Sequence, residues 1–431
     1  MIKRDLFVKK LNIIIGYCLI FWCFFAFFFK ANALNNLSSI LLSLGLILYI
    51  CFDFKTAKTN FLSNLKSNFV LLTLLFILLL GAIIISLNPY FDSPKEFSKL
   101  LRRDFLFLVL LMLLFWLDKK NEDQQKIIKF CFYAIIISFG ANLIYFFIQD
   151  IVTIESLNDK RHDSPSIIDR FFAPAFDVYF AFALIGCFFE KDKKLKIFFA
   201  FLLCVGIVFL ILCGARGGLL AFGASLIFII FVLIFKGVFS KKQLLSIISF
   251  IFIGILAFVI TISQNEYLQV KYIQGMHSSG RDIIIKERFP LLLDSKFALS
   301  GLGVGDIQYQ KFLNDQPAQI REKLGPQVPN DKNPGLYKTH FWHDEPALLG
   351  IYWHYGILGS LCFLFIICYL FFNSTKAFFL KNNYYLFALC SSVFAYYFIA
   401  ALFENFSDLK ILINFCIIYL AFKIHAPNQQ I

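Results

Sequence analysis

The stretch of sequence richest in titratable groups is HFWHDEPALLGIYWHYGILG, residues 340–359, which stands directly before a long apolar run. It holds half of the chain's 6 histidines, and His343 is followed at once by Asp344 and Glu345. Histidine titrates near neutral pH, and an adjoining carboxylate can hold its tautomer. His343 is therefore a candidate general base beside an apolar segment.

Two other interpretations of these histidines stay open. His340 and His343 are three residues apart, so on a helix they would share one face and could begin a metal site. No further histidine completes a zinc-protease pattern, and we expect no metal here. The structural alternative places both histidines, with His354, among the aromatic side chains of a membrane interface.

An arginine flanked by glycines links two apolar runs in CGARGG, Cys213–Gly218. Such a short link leaves Arg216 close to the lipid surface, where a charge is costly unless it is paired or hydrated. The glycines let another group approach the backbone closely, which favours a functional role for Arg216. The alternative is an arginine whose side chain extends to the lipid headgroups.

A carboxylate lies inside an apolar run in DRFFAPAFDVYFAFAL, which begins at Asp169. Arg170 precedes this run, and Asp177 lies within it. An ionisable group in an apolar helix is a functional-site candidate and requires a partner. The alternative is a structural ion pair between Asp177 and a neighbouring arginine.

The remaining candidates are two arginines and a glutamate. Arg281 stands at the start of GRDIIIKERFP, and Arg288 lies two turns further along if that segment is helical. A solvated helix face explains both arginines as well as a functional role does. Glu404, with Asp408, ends another apolar run, where the carboxylates would complete a polar lining or cap a helix.

The composition shows what must position these residues. Of the 431 residues 59% are hydrophobic and 16% charged, whereas soluble domains carry about 25% charged residues. Apolar runs long enough to cross a bilayer recur along the whole length. We therefore predict an all-α polytopic membrane protein with about twelve transmembrane helices. The predicted spans are residues 11–29, 34–52, 69–87, 100–117, 130–148, 171–189, 197–213, 219–235, 244–262, 350–372, 384–403 and 409–423.

Charge sorts the connecting segments into two sides. An even number of crossings puts both termini on one side of the membrane. The short segments on that side carry about twice as many lysines and arginines as the short segments on the other side. Both termini are therefore predicted to be cytoplasmic, and orientation explains the net charge of +13 without a nucleic-acid partner. The 11 cysteines lie in or beside apolar runs, so we expect neither a disulfide framework nor a cysteine metal site.

One segment is long enough to fold outside the lipid. It gives a division into transmembrane helices 1–9 (residues 1–262), a large outer loop domain (263–349), and helices 10–12 with the C-terminus (350–431). Short helices are expected within the loop domain. The glycine-rich SGLGVGDIQYQ, residues 300–310, lacks the GxxxxGK[ST] pattern of a phosphate loop, so we predict a tight turn that brings the backbone close to another group.

The arginines are also sorted, since all except Arg4 fall on the outer side. Arginine is the preferred planar fork for phosphate and carboxylate, which indicates that an anion is handled there. On this topology five separate segments bring candidate residues to one surface, and a shared outer cavity is the simplest explanation. These residues are Arg170, Arg216, Arg281, His343 and Glu404.

Together these segments resemble the O-antigen ligase family, within the superfamily of O-antigen ligases and polymerases. The similar stretches are RFFAPAFDVYFA from Arg170, ARGG around Arg216, GRDIIIKERFPLLLDSKFALSGLGVGDIQY from Gly280 and HDEPALLGIYWHYGILG from His343. The resemblance covers most of the chain, including the single large outer loop. Two positions depart from it: His354–Tyr355 stands where the family often has an acidic residue, and Ala215 where it commonly has serine.

The resemblance implies a metal-independent, inverting glycosyl transfer on the periplasmic face of a bacterial inner membrane, with no cofactor. A glycan would move from undecaprenyl pyrophosphate to a sugar hydroxyl of lipid A–core. His343 would be the catalytic base, and Arg216, Arg281 and, more weakly, Arg170 would hold the pyrophosphate. Supporting roles are expected for His340, Asp344, Asp177, Arg288 and Glu404.

Three alternatives stay open. An O-antigen polymerase would use the same donor with a glycan acceptor, but the short outer loops 88–99 and 149–170 favour the ligase. A protein O-oligosaccharyltransferase of the same superfamily would transfer the glycan to a protein. A polysaccharide transporter or flippase is the third, although transporters usually show inverted repeats and polar breaks near mid-membrane, of which this chain has few.

Overall fold

The structure is a computed structural model in which helices dominate. It describes residues 2–28, 32–85, 94–152, 168–169, 171–238, 259–260, 262–263, 269, 281–303, 306–323, 327–329, 337–339, 347–403 and 409–424. The first part of the chain forms helices α1 (Ile2–Phe25), α2 (Asn32–Phe52), α3 (Phe54–Ile85), α4 (Pro94–Trp116), α5 (Glu122–Phe147), α6 (Phe172–Phe189), α7 (Lys193–Cys213) and α8 (Arg216–Phe235).

Shorter elements follow in the predicted loop domain. They are α9 (Arg281–Leu293), α10 (Asp306–Asn314), α11 (Ala318–Lys323) and the antiparallel strands β1 (Gln327–Pro329) and β2 (Tyr337–Thr339). The chain continues with α12 (Ala347–Lys381), α13 (Tyr384–Val393) and α14 (Leu409–Lys423). The all-α prediction is confirmed, and the two three-residue strands are a minor addition in the proline-containing segment, where a helix cannot be continued.

The chain is a polytopic membrane protein. Among the described residues, nine helices are long and apolar enough to cross a membrane, and Phe105–Trp116 is a shorter apolar helix. Every predicted span except 244–262 has a helix over most of its length, and 244–262 lies almost wholly outside the described residues. The number twelve and the placement of the loop domain on one side of the membrane stay predictions.

Helix α6 forms the centre of the bundle. All side chains from Phe172 to Gly186 are buried, and the helix packs against α5, α7, α8 and α13. Aromatic rings fill these contacts: Phe176 lies 5.5 Å from Phe222 of α8 and 5.9 Å from Phe139 of α5, between ring centroids. Helices α7 and α8 are more apolar but much less buried, so α6 is distinguished by the helices that surround it and not by its hydropathy.

Residues 53–68, which we predicted to be a loop, are mostly helical. Helix α3 begins at Phe54 and bends at Asn68 (φ −129°, ψ 16°), next to the predicted start of the span. Asn64 Nδ2 donates to the carbonyl oxygens of Leu114 at 2.9 Å and Leu117 at 2.8 Å, and Lys423 Nζ donates to Asn68 Oδ1 at 2.6 Å. The polar groups of this segment thus find partners on α4 and α14, which explains why it folds against the bundle end.

Candidate functional site

The link between α7 and α8 places Arg216 at the first position of a helix. Gly214 adopts a left-handed conformation (φ 66°) that ends α7, and its N–H donates to the carbonyl of Ile211 at 3.1 Å. Ala215 precedes α8 in extended conformation and has no side-chain oxygen to cap the helix. Half-buried Arg216 therefore lies beside helix-start N–H groups, where the helix dipole favours an anion.

Two of the predicted segments meet where α8 crosses α6. A Cβ atom added at Gly218 would lie 2.9 Å from the Cβ of Ala173 and 3.0 Å from Leu210 Cδ1, so only glycine permits this approach. Ala173 is in the first turn of α6, which follows the segment predicted to contribute Arg170. The structure therefore brings the start of α8, with Arg216, against the start of α6.

Asp177 lies one turn deeper than Ala173 on the same face of α6. Its side chain is wholly buried, with 0% exposed. Burial of a charged carboxylate is strongly unfavourable without a partner, so the requirement for a partner of Asp177 stays a prediction.

A group of buried polar side chains surrounds the same level of α6. The hydroxyls of Tyr179 and Ser138 lie 2.8 Å apart, and Asn142 Nδ2 donates to the Tyr179 hydroxyl at 3.2 Å. Ser392 Oγ of α13 donates to the Val178 carbonyl at 2.7 Å. Sequence analysis missed this group; the pair Ser138 and Asn142, four residues apart within an apolar helix, was the available signal.

The end of α13 also lies along α8. Beyond α13 the helix widens into a π-helical turn, Phe394–Ile399, and tightens into a 3-10 turn, Ala400–Leu402, and both turns pack against α8. The rings of Phe228 and Phe394 stack with centroids 4.8 Å apart. The segment that leads to Glu404 thus runs toward the end of the bundle where α8 begins, and π-helical turns are frequent at functional sites.

The glycine-rich turn docks into a break in α12. Gly356 has φ 64° and ψ −169°, which interrupts the helix. The N–H groups of Leu302 and Gly303 donate to the carbonyls of Trp353 and His354 at 2.8 and 3.0 Å. In the other direction, Ile357 donates to the carbonyl of Ala298 at 3.0 Å. The prediction of a turn that brings backbone close to another group is confirmed by this ladder.

A second hydrophobic core joins the loop elements to the first turns of α12. It contains Leu292, Phe297, Leu302, Tyr309, Phe312, Leu313, Leu349, Tyr352 and Trp353. Arg288 of α9 lies in this core with 1% of its surface exposed, and its Nη1 donates to the Tyr309 hydroxyl at 3.3 Å. The solvated-face interpretation is therefore wrong for Arg288, because the face of α9 that carries it packs inward.

The roles of the other predicted site residues stay predictions. Arg281 begins α9, which packs against α12. The remaining five lie outside the described residues, namely His343, His340, Asp344, Arg170 and Glu404. Within the part of the chain that the structure describes, no three His, Cys, Asp or Glu side chains are grouped to hold a metal ion.

The starts of α6 and α8 and the end of α13 thus converge at one end of the bundle. Arg216 lies there at the start of α8, and the buried carboxylate of Asp177 lies one turn deeper in α6. Compared with known proteins, the chain matches no protein-family model and no curated protein.

Proposed function

We propose that this chain is an O-antigen ligase-type glycosyltransferase of the bacterial inner membrane, with both termini cytoplasmic and the active site at the periplasmic face. The donor is a glycan on undecaprenyl pyrophosphate, and the acceptor is a sugar hydroxyl of lipid A–core. The observation that carries the proposal is the approach of Gly218 to Ala173, since it places Arg216 beside the start of α6, where the resemblance expects a second arginine.

In this reaction the acceptor hydroxyl oxygen attacks C1 of the donor sugar while the bond from C1 to the pyrophosphate oxygen breaks. The hydroxyl proton passes to neutral His343, and direct displacement inverts the anomeric centre. Negative charge grows on the leaving pyrophosphate, and the guanidinium forks of Arg216, Arg281 and Arg170 stabilise it. The pyrophosphate bond supplies the energy, so neither ATP nor a cofactor is required.

The position of Arg216 at a helix start suits this task. The first N–H groups of α8 lie at the positive end of the helix dipole and have no partners within the helix. A pyrophosphate can accept hydrogen bonds from both these N–H groups and the guanidinium. Asp177 is one turn below the α6–α8 contact and would orient one of the site arginines from beneath.

The test is complementation of a ligase-deficient strain that still makes the lipid-linked glycan. We expect His343→Ala to yield lipid A–core without glycan, together with accumulated undecaprenyl-linked glycan. The matched control is His425→Ala, at the C-terminal end of the chain, which should restore full attachment.

Other outcomes separate the alternatives. Full-length glycan attached by His343→Ala would remove this histidine from the mechanism. Shortened but attached chains would identify a polymerase, glycan on protein would identify an oligosaccharyltransferase, and glycan retained on the cytoplasmic leaflet would identify a transporter.

A further inference from the structure

A cavity of about 470 Å³, lined by charged, polar and apolar side chains, opens at the end of the bundle where α1 begins. Three elements enclose it: the second and third turns of α1, the junction between α2 and α3, and the start of α5. Its lining combines Val8, Lys9, Asn12, Ile13, Asp53, Lys55, Thr56, Asn121, Asp123, Gln124 and Ile127. Four candidate membrane spans begin or end at or next to these residues, so the cavity lies where an apolar helix bundle meets a membrane surface.

The cavity carries charges of both signs in equal number. Lys9 and Lys55 are exposed and Asp53 is half-buried. In the described part of the chain, no hydrogen bond or ion pair ties these three side chains to a protein partner. Asp123 is the exception, because its carboxylate is already 3.8 Å from Lys126 Nζ. The groups that can pair with a ligand are thus the ammonium groups of Lys9 and Lys55 and the carboxylate of Asp53. The hydroxyl of Thr56 also lines the cavity.

Exposed apolar side chains stand next in sequence to cavity residues, since Phe7, Phe52 and Phe54 adjoin Val8, Asp53 and Lys55. The rings of Phe7 and Phe52 are in contact, with centroids 4.7 Å apart, and both are more than two-fifths exposed. Phe54 is 58% exposed. A ligand that filled the cavity would therefore contact charged groups and could reach the exposed apolar side chains beside them, which matches a phospholipid.

We propose that this cavity binds the headgroup of a zwitterionic phospholipid with a primary ammonium, that is, phosphatidylethanolamine. Lys9 and Lys55 pair with the phosphate, and the carboxylate of Asp53 accepts hydrogen bonds from the ammonium. A lipid with only a negative headgroup leaves Asp53 facing an anion. A trimethylated headgroup offers the carboxylate no N–H donor, so phosphatidylcholine binds more weakly. This site is independent of the proposed glycosyl transfer.

Native mass spectrometry of the full-length protein tests the site, with phosphatidylethanolamine, phosphatidylcholine and phosphatidylglycerol of equal chain length supplied in equal amounts. We expect the wild type to retain phosphatidylethanolamine over phosphatidylcholine by about threefold, in the range of a partly exposed ion pair. Asp53→Asn should abolish this preference, and Lys9→Gln with Lys55→Gln should lower retention of both lipids. Asp315→Asn and Lys66→Gln, exposed positions away from the cavity, are the matched controls.

A wild type that shows no preference, or that prefers phosphatidylglycerol, would overturn the proposal, as would an unchanged preference in Asp53→Asn. If Asp53→Asn does not fold, the site is tested instead with the wild type and a series of lipids whose headgroup ammonium carries zero to three N-methyl groups. Retention that falls with each methyl group supports the site, and a flat series refutes it.

Discussion

Gly301 and Gly356 cross so closely that neither position has room for a side chain. A Cβ atom on Gly301 would meet the amide nitrogen of Gly356 and lie 2.7 Å from the carbonyl of His354, and a Cβ on Gly356 would meet the carbonyl of Leu299. Both glycines have positive φ, 77° and 64°. The crossing lets the glycine-rich turn satisfy backbone groups of α12 that the break at Gly356 leaves without helical partners.

We expect Gly356→Ala to lower the free energy of unfolding by about 3 kcal/mol, since the backbone conformation is accessible almost only to glycine and the added methyl has no space. The melting temperature of the purified protein in detergent measures this loss. Gly223→Ala is the matched control, because a Cβ there meets no atom within 4 Å and α8 is helical at that point. That control should be neutral or slightly stabilising. Equal melting temperatures for the two variants would contradict the importance of the crossing.

Sequence patterns predicted the elements far better than their packing. Apolar runs fix helices because every backbone polar group in lipid must be satisfied within the segment, so α2, α7 and α8 lie where they were expected. The helical start of α3 was missed, because its lysines and asparagines indicate a loop unless their partners on α4 and α14 are known. For the same reason, the sequence did not show that Arg288 lies on the face of α9 that packs inward.

The candidate site was predictable in part. The glycines of CGARGG correctly indicated a close approach at Arg216, since glycine at a helix crossing has few other causes. The sequence pattern did not predict which helix approaches these glycines, because contacts between helices depend on the shapes of both surfaces. His343 and Glu404 stay predictions from sequence alone.

Widening the α6–α8 contact should impair the proposed glycosyl transfer. Gly218→Leu places a branched side chain where Ala173 already lies within 2.9 Å of a Cβ position, so α8 must move away from α6. We expect transfer of glycan to lipid A–core to fall at least about tenfold, because displacement of a site group by about an ångström has large effects on rate. The control is Gly223→Leu, in the same helix with open space around it. Comparable activity of both variants at equal expression would refute a site at this contact.

Arg216 should be required as a planar fork rather than as a positive charge. We expect Arg216→Ala to lower kcat for glycan transfer by about 100-fold, and Arg216→Lys to recover only part of this loss, since lysine cannot make a bidentate contact with phosphate. KM for the lipid-linked donor should change less than kcat, because the leaving charge develops in the transition state. Arg321→Lys, in α11, is the matched control and should keep full activity. Full activity of Arg216→Lys would show that charge alone suffices.

The buried pair Arg288 and Tyr309 should stabilise the loop elements as a unit. Tyr309→Phe removes the acceptor of Arg288 Nη1 and should lower the free energy of unfolding by about 1–2 kcal/mol. Arg288→Met fills the same space without the charge, and the double variant should lose less than the sum of the two single losses. Thermal unfolding in detergent measures all three, with Tyr17→Phe, 68% exposed, as control. Strictly additive losses would show that the two side chains act separately.

Glu190 lies at the far end of α6 from Arg216 and should make stability depend on pH. Burial raises the pKa of Glu190, but hydrogen bonds from the Tyr133 hydroxyl and the backbone N–H groups of Asp192 and Lys191 more than offset this, so the pKa is below its ordinary value. A lowered pKa in the folded state stabilises the protein above the ordinary glutamate pKa of about 4.3, and this stabilisation is lost as the pH falls through the folded value.

The melting temperature between about pH 3 and pH 7 measures this dependence. We expect the wild type to lose stability at the acidic end, and Tyr133→Phe to lose part of its stability near neutral pH, because the carboxylate then lacks one donor while it stays buried. Glu190→Gln should flatten the acidic part of the profile, whereas Glu122→Gln, an exposed glutamate at the start of α5, should leave the profile unchanged. If Glu190→Gln keeps the wild-type profile, other carboxylates control acid stability and the Glu190 contacts serve packing alone.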